Sequence, residues 1–282
     1  AETLRQSDLN ALKLDLERQV GATVRRLEEL ERQGSASARV IANAAPAVVL
    51  LQGGYGLREI GGERLMRLVL TEEGLPIMLP TGQPLMSLDG DGPVAEVNYV
   101  STGFLVGSEG AILTNRHVAL PWESTVDEAA LASSGLQPVM LKLIAYLPGH
   151  AEAAPVTLIG ASERADLAVL KSEQALAANV GLPLAQAEPA AGEPIIVMGY
   201  PTGLKSILAQ AGRSFVEKLQ TDEDLEFWRD AETTHGGSGG PVLTMEGEVI
   251  AVTMAVLPEY GGSNLGVPIA EARRLLAELG LD

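Results

Sequence analysis

Ser101-Thr102-Gly103-Phe104-Leu105-Val106-Gly107-Ser108-Glu109-Gly110-Ala111-Ile112-Leu113-Thr114-Asn115-Arg116-His117-Val118 holds two short apolar runs, at residues 103–106 and 111–114, edged by Gly and Ser. Runs of this length between turn-forming residues are strand signals. The same texture returns at residues 47–51, 167–170, 194–198 and 249–253. Long helical stretches do not alternate with these runs, which excludes a doubly wound parallel sheet. The pattern predicts an all-β body, a barrel or a sandwich.

The chain has 282 residues, 46% of them hydrophobic, enough for one large domain or two modest ones sharing a core and far too apolar for a disordered chain. Its 37 acidic and 20 basic groups give a formal charge of -17, which argues against a general nucleic-acid binder, since phosphate contacts need a basic face. Without cysteine there is no disulfide framework, thiolate zinc site, iron–sulfur cluster or cysteine nucleophile. No apolar run approaches the roughly 20 residues of a membrane-spanning helix. The chain opens on Ala1 rather than Met, so a leader or membrane anchor upstream of residue 1 stays open.

Leu9, Leu12, Leu16, Val20, Val24, Leu27 and Leu30 recur at intervals of three and four, predicting a helix over residues 2–33 with Gly34 as its stop. That helix has two readings: packing on its own domain, or a coiled coil with a second copy or a stalk from a membrane anchor. Residues 271–279 predict a closing helix with Gly280 after its last turn. Residues 53–98, rich in Gly and Pro, and the Ala-rich residues 121–155 read as long hairpins or surface insertions.

Chemistry concentrates at Gly236-Gly237-Ser238-Gly239-Gly240-Pro241. Glycines around one hydroxyl allow close backbone approach and turns closed to other residues, which suits a serine nucleophile; alone, the motif is equally a surface loop. It also satisfies G-x-S-x-G, the nucleophile elbow whose histidine follows the serine. His117, His150 and His235 all precede Ser238, which removes that reading. The opposite order, His then Asp then Ser, is available: His117 follows one apolar run and Asp166 opens another, Asp166-Leu167-Ala168-Val169-Leu170.

With these residues in place the chain resembles the HtrA/DegP-like serine proteases of the chymotrypsin fold. Residues 101–118, 164–171, 230–241 and 264–269 carry the resemblance, which covers roughly residues 37–279. It implies two six-stranded antiparallel β-barrels, the first at residues 37–189 with His117 and Asp166 and an insertion at 53–98, the second at 190–282 with Ser238 and the closing helix. Residues 1–36 form an N-terminal helical segment outside the shared pattern. The resemblance ends with the closing helix, so no PDZ domain is expected within this chain.

The implied chemistry is attack by Ser238 on a peptide carbonyl, with His117 as general base and Asp166 fixing the imidazole. Backbone N–H groups of Gly236 and Ser238 are the expected oxyanion hole. Gly237 stands where secreted zymogens carry an Asp, so activation by N-terminal cleavage is not expected and the loop at Gly236 is expected to be ordered by substrate or by a neighbouring loop. Glu232, Thr233, Thr234 and His235 are expected in the pocket before the cut, and Thr253 and Met254 on a strand that pairs with extended substrate. The expected partner is therefore an unfolded or flexible polypeptide.

No H-E-x-x-H and no G-x-x-x-x-G-K-[ST] occurs, so neither a metal, a cofactor nor ATP is expected. The rival function is a catalytically idle fold used as a peptide-binding or scaffolding module; a non-peptide esterase is a third. The family points to the periplasm or cell envelope. Residues 222–232 hold Asp222, Glu223, Asp224, Glu226, Asp230 and Glu232 against Arg229 alone, biasing the cleft rim toward basic substrates. A peptide-library profile is accordingly expected to show no enrichment of acidic residues before the cut, and strong enrichment would refute the charge argument.

Overall fold

The computed structural model describes residues 6–107, 110–147, 150–173, 181–200, 208–220, 226–230, 237–257 and 263–281. A long helix α1 (Gln6–Ala44) passes through a 3-10 turn (Ala45–Ala47) into β1 (Val48–Glu59). There follow β2 (Arg67–Leu68), β3 (Met86–Ser87), β4 (Val97–Val106), β5 (Ala111–Thr114), α2 (Arg116–Ala119), a second 3-10 turn (Pro121–Ser124) and α3 (Glu128–Ser133). Next come β6 (Leu136–Tyr146), β7 (Ala154–Ala161), β8 (Ala168–Ser172), β9 (Pro194–Gly199), β10 (Leu208–Gln220) and β11 (Glu226–Asp230). The chain ends with β12 (Pro241–Leu243), β13 (Val249–Leu257), β14 (Ser263–Pro268) and α4 (Ile269–Glu278).

The body is mostly β. Strands β1-β4-β5-β8-β7-β6 form a closed barrel, β6 returning to pair with β1, and every pairing is antiparallel. The second sheet runs β10-β11-β14-β13-β12-β9, with β9 paired back to β10. Burial follows the apolar runs: Leu51, Phe104, Ile112 and Leu170 fill the first sheet and Ile196, Met198, Leu243 and Ile250 the second, all fully buried in one continuous core. Helix α4 buries Ile269, Ala272, Leu275 and Leu276, and Gly280 follows it at φ +69 with its N–H on the Ala277 carbonyl.

Two expectations change. Helix α1 runs ten residues past Gly34, to Ala44. Its last turns are held by tertiary packing, which outweighs the weak helix propensity of Gly: Val40 and Ala44 are buried in the core, and Pro46 lies just beyond the helix end. Residues 53–59 and 97–98 are not insertion but barrel strand. Gly53, Gly54 and Gly56 lie inside β1 because the Tyr99 ring, the Glu96 side chain and the Leu141 side chain occupy the space where side chains would stand. The insertion proper is residues 60–96, a largely exposed run whose only ladder is the short β2–β3 pair. Residues 121–155 follow the hairpin reading instead, with β6 a half-buried barrel strand paired to β1 and β7.

Among the described residues, no helix is long and apolar enough to cross a membrane. Of the side chains described on the outer part of α1, Val20 and Val24 are exposed. Gly34 lies within the helix with open space where a Cβ would stand. Gly34→Ala is therefore expected to raise stability in urea unfolding by about 0.5–1 kcal/mol. A helix that stopped at a left-handed Gly34 would instead lose stability on the same substitution.

Candidate active site

Asn115 precedes α2 in extended backbone, at φ -80 and ψ 155, and α2 starts at Arg116, which places His117 in its first turn. Asp166 sits just before β8, at the end of a turn built on Ser162: the Ser162 hydroxyl accepts the N–H groups of Arg164 and Ala165 at 3.2 and 3.1 Å, and the Ser162 N–H donates to the Leu167 carbonyl at 2.9 Å. Strand β8 begins at Ala168, two residues after Asp166. Buried Asn115 ties the two segments together, its side-chain N–H donating to the Asp166 carbonyl at 2.9 Å. Arg116 adds a second tie, with a two-pronged pair to Glu123 at 2.7 and 2.8 Å and a hydrogen bond to the Ser162 carbonyl at 2.8 Å. The Glu123 hydrogen bonds push the Arg116 guanidinium above its ordinary pKa.

Both oxygens of the Asp166 carboxylate are spent on His117. Oδ1 accepts the His117 backbone N–H at 2.9 Å and Oδ2 meets Nδ1 at 2.7 Å. A carboxylate can only accept, so Nδ1 carries a proton, and in the neutral ring the lone pair is on Nε2. The arrangement fixes both ring orientation and tautomer.

Ser238 comes from the turn between Gly237 and β12. Gly240 N–H donates to the Gly237 carbonyl at 2.9 Å, while Gly239 N–H and the Gly240 carbonyl bond to the two sides of Thr253 on β13. Gly239 has φ +83, and a Cβ there would overlap the Thr102 carbonyl oxygen and the Thr114 hydroxyl. The turn is pinned to the first barrel as well: the Ser238 carbonyl accepts from the Thr102 N–H at 3.0 Å and the Ser101 hydroxyl at 2.8 Å. The Ser238 hydroxyl itself donates to the Met254 carbonyl at 3.0 Å. No hydrogen bond joins it to His117 among the described residues, although both side chains line the same two cavities, of about 680 and 370 Å3.

Of the two expected contacts on β13, Met254 lines the larger cavity. Thr253 is 4% exposed, with its N–H and carbonyl both taken by the serine turn, and braces that turn from behind. Glu232, Thr233, Thr234, His235 and Gly236 lie outside the described residues, as do Asp222, Glu223 and Asp224. Sequence reasoning missed the supports Ser101, Thr102, Thr114, Asn115, Arg116 and Ser162. Small polar residues flanking an apolar run were their only signal. Among the described residues no cluster of His, Asp and Glu could hold a metal ion.

Residues 101–252 match the family described as "Trypsin-like peptidase domain". The chain is 27% identical over 223 residues, 74% of its length, to the "Probable periplasmic serine endoprotease DegP-like" of Ectopseudomonas mendocina, covering 42% of that protein. It is 28% identical to human "Serine protease HTRA4", over 64% of this chain and 35% of that one. It thus spans about two fifths of the length of these relatives. In fold it is similar to the crystal structure of the Rv3671c protease from M. tuberculosis, active form, with a TM-score of 0.56 and 18% identity, covering 86% of this chain and 84% of that one.

The serine turn depends on a residue without a side chain at its tightest point. Gly239→Ala is expected to destabilise the protein by more than about 3 kcal/mol in urea unfolding, because strain at positive φ adds to overlap with fixed backbone.

Proposed function

The chain belongs to the trypsin-like peptidase family, and from that premise we propose that it is an HtrA/DegP-like serine endopeptidase that cuts unfolded or flexible polypeptide segments through Ser238, His117 and Asp166, without ATP. The observation that carries this is the doubly held His117: Nδ1 bound to Asp166 at 2.7 Å, Nε2 left as a base, and Ser238 lining the same cavity. In this reading the two six-stranded rings are the two barrels of the chymotrypsin arrangement, and the cleft between them takes the substrate.

The Ser238 hydroxyl starts on the Met254 carbonyl. Rotation about its single side-chain bond turns it to His117 Nε2, which takes the proton as Oγ attacks the peptide carbonyl. The developing oxyanion is met by the Ser238 N–H together with that of Gly236. His117 then passes the proton to the leaving amine, and water, deprotonated by the same imidazole, releases the acyl group. Asp166 keeps the ring oriented and stabilises the imidazolium. Extended substrate adds to the edge of β13, a mode that reads backbone and favours segments with no structure of their own. The DegP-like relative and the negative charge of the chain support a role in the periplasm or envelope with basic segments among the substrates. Exposed Val20 and Val24 support a second copy, or a stalk from an anchor, as the partner of α1.

A catalytically idle scaffold would have no use for a carboxylate that spends both oxygens on one histidine beside a serine in the same cavity. Casein turnover by the chain is expected to vanish in Ser238→Ala and to fall about 10⁴-fold in Asp166→Asn, which leaves the geometry but reverses the tautomer. A fluorophosphonate probe should label Ser238. Undiminished turnover in Ser238→Ala, or no labelling of a folded wild-type chain, would overturn the assignment.

A further inference from the structure

The geometry points to a leaving-side pocket in this chain that selects a large apolar side chain on the residue immediately after the scissile bond. The inference rests on the endopeptidase reading above and names half of its substrate specificity.

Two cavities meet at His117 and Ser238, and they differ in origin and chemistry. The larger is lined by Met254 of β13, the strand that the acyl half of an extended substrate would pair with, and by Arg116, Glu123, Glu163, Arg164 and Asp166. It is charged. The smaller has no β13 residue and, apart from Ser238, is built entirely from the first barrel and its α2 segment. The two cavities share only His117, Ser124 and Ser238, and the departing amine, which takes its proton from His117, is assigned to the one without a β13 residue.

The wall of this smaller cavity is Tyr55, Val97, Tyr99, Val100, Val118 and Pro121, with no acidic or basic side chain apart from His117 itself. Apart from Ser124 at the exposed rim, its hydroxyls are already committed. Tyr99 donates to the Val118 carbonyl, Tyr55 and Thr125 share a hydrogen bond at 3.1 Å, Thr125 donates to the Pro121 carbonyl at 2.9 Å, and Ser101 donates to the Ser238 carbonyl at 2.8 Å. Burial pushes the Tyr99 phenol well above its ordinary pKa, so it stays neutral. Trp122 backs Tyr55 with ring centroids 6.0 Å apart, which stiffens the wall. A volume of about 370 Å3 holds one large side chain, and away from Ser124 and His117 its wall has no free polar group for a carboxylate or ammonium.

Acyl transfer to added amines tests this directly. An ester substrate acylates Ser238. An amino-acid amide then attacks the acyl carbon, its nitrogen–carbon bond forms as the carbon–Oγ bond breaks, and its proton passes through His117 back to Oγ. The ratio of amide product to hydrolysed acid reports occupancy of the leaving-side pocket alone. Leucinamide and phenylalaninamide should capture the acyl-enzyme at least about 10-fold better than glycinamide or aspartic acid α-amide. Val97→Lys, at an exposed rim position (54% exposed), should narrow that gap by raising capture of the aspartic acid amide. Equal capture of all four amides by an enzyme that hydrolyses the ester would overturn the pocket while leaving the endopeptidase reading intact. No acylation of Ser238 at all would overturn both.

Discussion

Everything at the site hangs on the seam where the turn carrying Ser238 is sewn to strand β4. The serine carbonyl takes two donors there, the Thr102 N–H and the Ser101 hydroxyl, while Thr253 holds the flanking glycines from the opposite side. The Thr114 hydroxyl donates to the Thr102 carbonyl and the Thr102 hydroxyl accepts from the Tyr200 N–H, so the support extends into β5 and to the residue just after β9. These groups are buried, where an unmade hydrogen bond costs about 1–3 kcal/mol. The turn therefore has one arrangement that satisfies its neighbours. The histidine and aspartate ride on the same first sheet, which makes β4 the common reference for all three side chains.

The site also separates what must be rigid from what can move. His117 is held at its backbone and ring by a single carboxylate, and that carboxylate by a turn closed on Ser162 and clasped by Arg116 and Glu123. The serine backbone is equally fixed. Only the serine hydroxyl has a choice of acceptor, and its choice here is the Met254 carbonyl. Strand β13 thus touches Ser238 through the very segment proposed to meet substrate.

Much of this was legible in the sequence because burial and strand geometry share a period. Runs such as 103–106 and 111–114 became fully buried strands, and Gly280 became the left-handed residue after the last helix. The order His117, Asp166, Ser238 was equally readable. The end of α1 was not, because Val40 and Ala44 earn their helical state from contacts with a core distant in sequence, and Gly34 looked like the natural stop. Strand β1 was cut short for the opposite reason: its glycines make room for Tyr99 and Glu96 across the ladder, a cause invisible until the register is known. Supports such as Asn115 and Ser162 act through hydrogen bonds to distant backbone and leave no local pattern.

The absence of side chains at Gly239 and Gly240 bears on how such a chain could be retuned. A methyl group at either position meets fixed carbonyl oxygens, of Thr102 and Met198 respectively, so mutational libraries spent there return mostly misfolded protein. Val97 and Ser124, by contrast, sit at solvent-facing edges of the pockets and tolerate diversity. Selectivity in this scaffold is therefore freer to drift from the rim inward than from the serine turn outward.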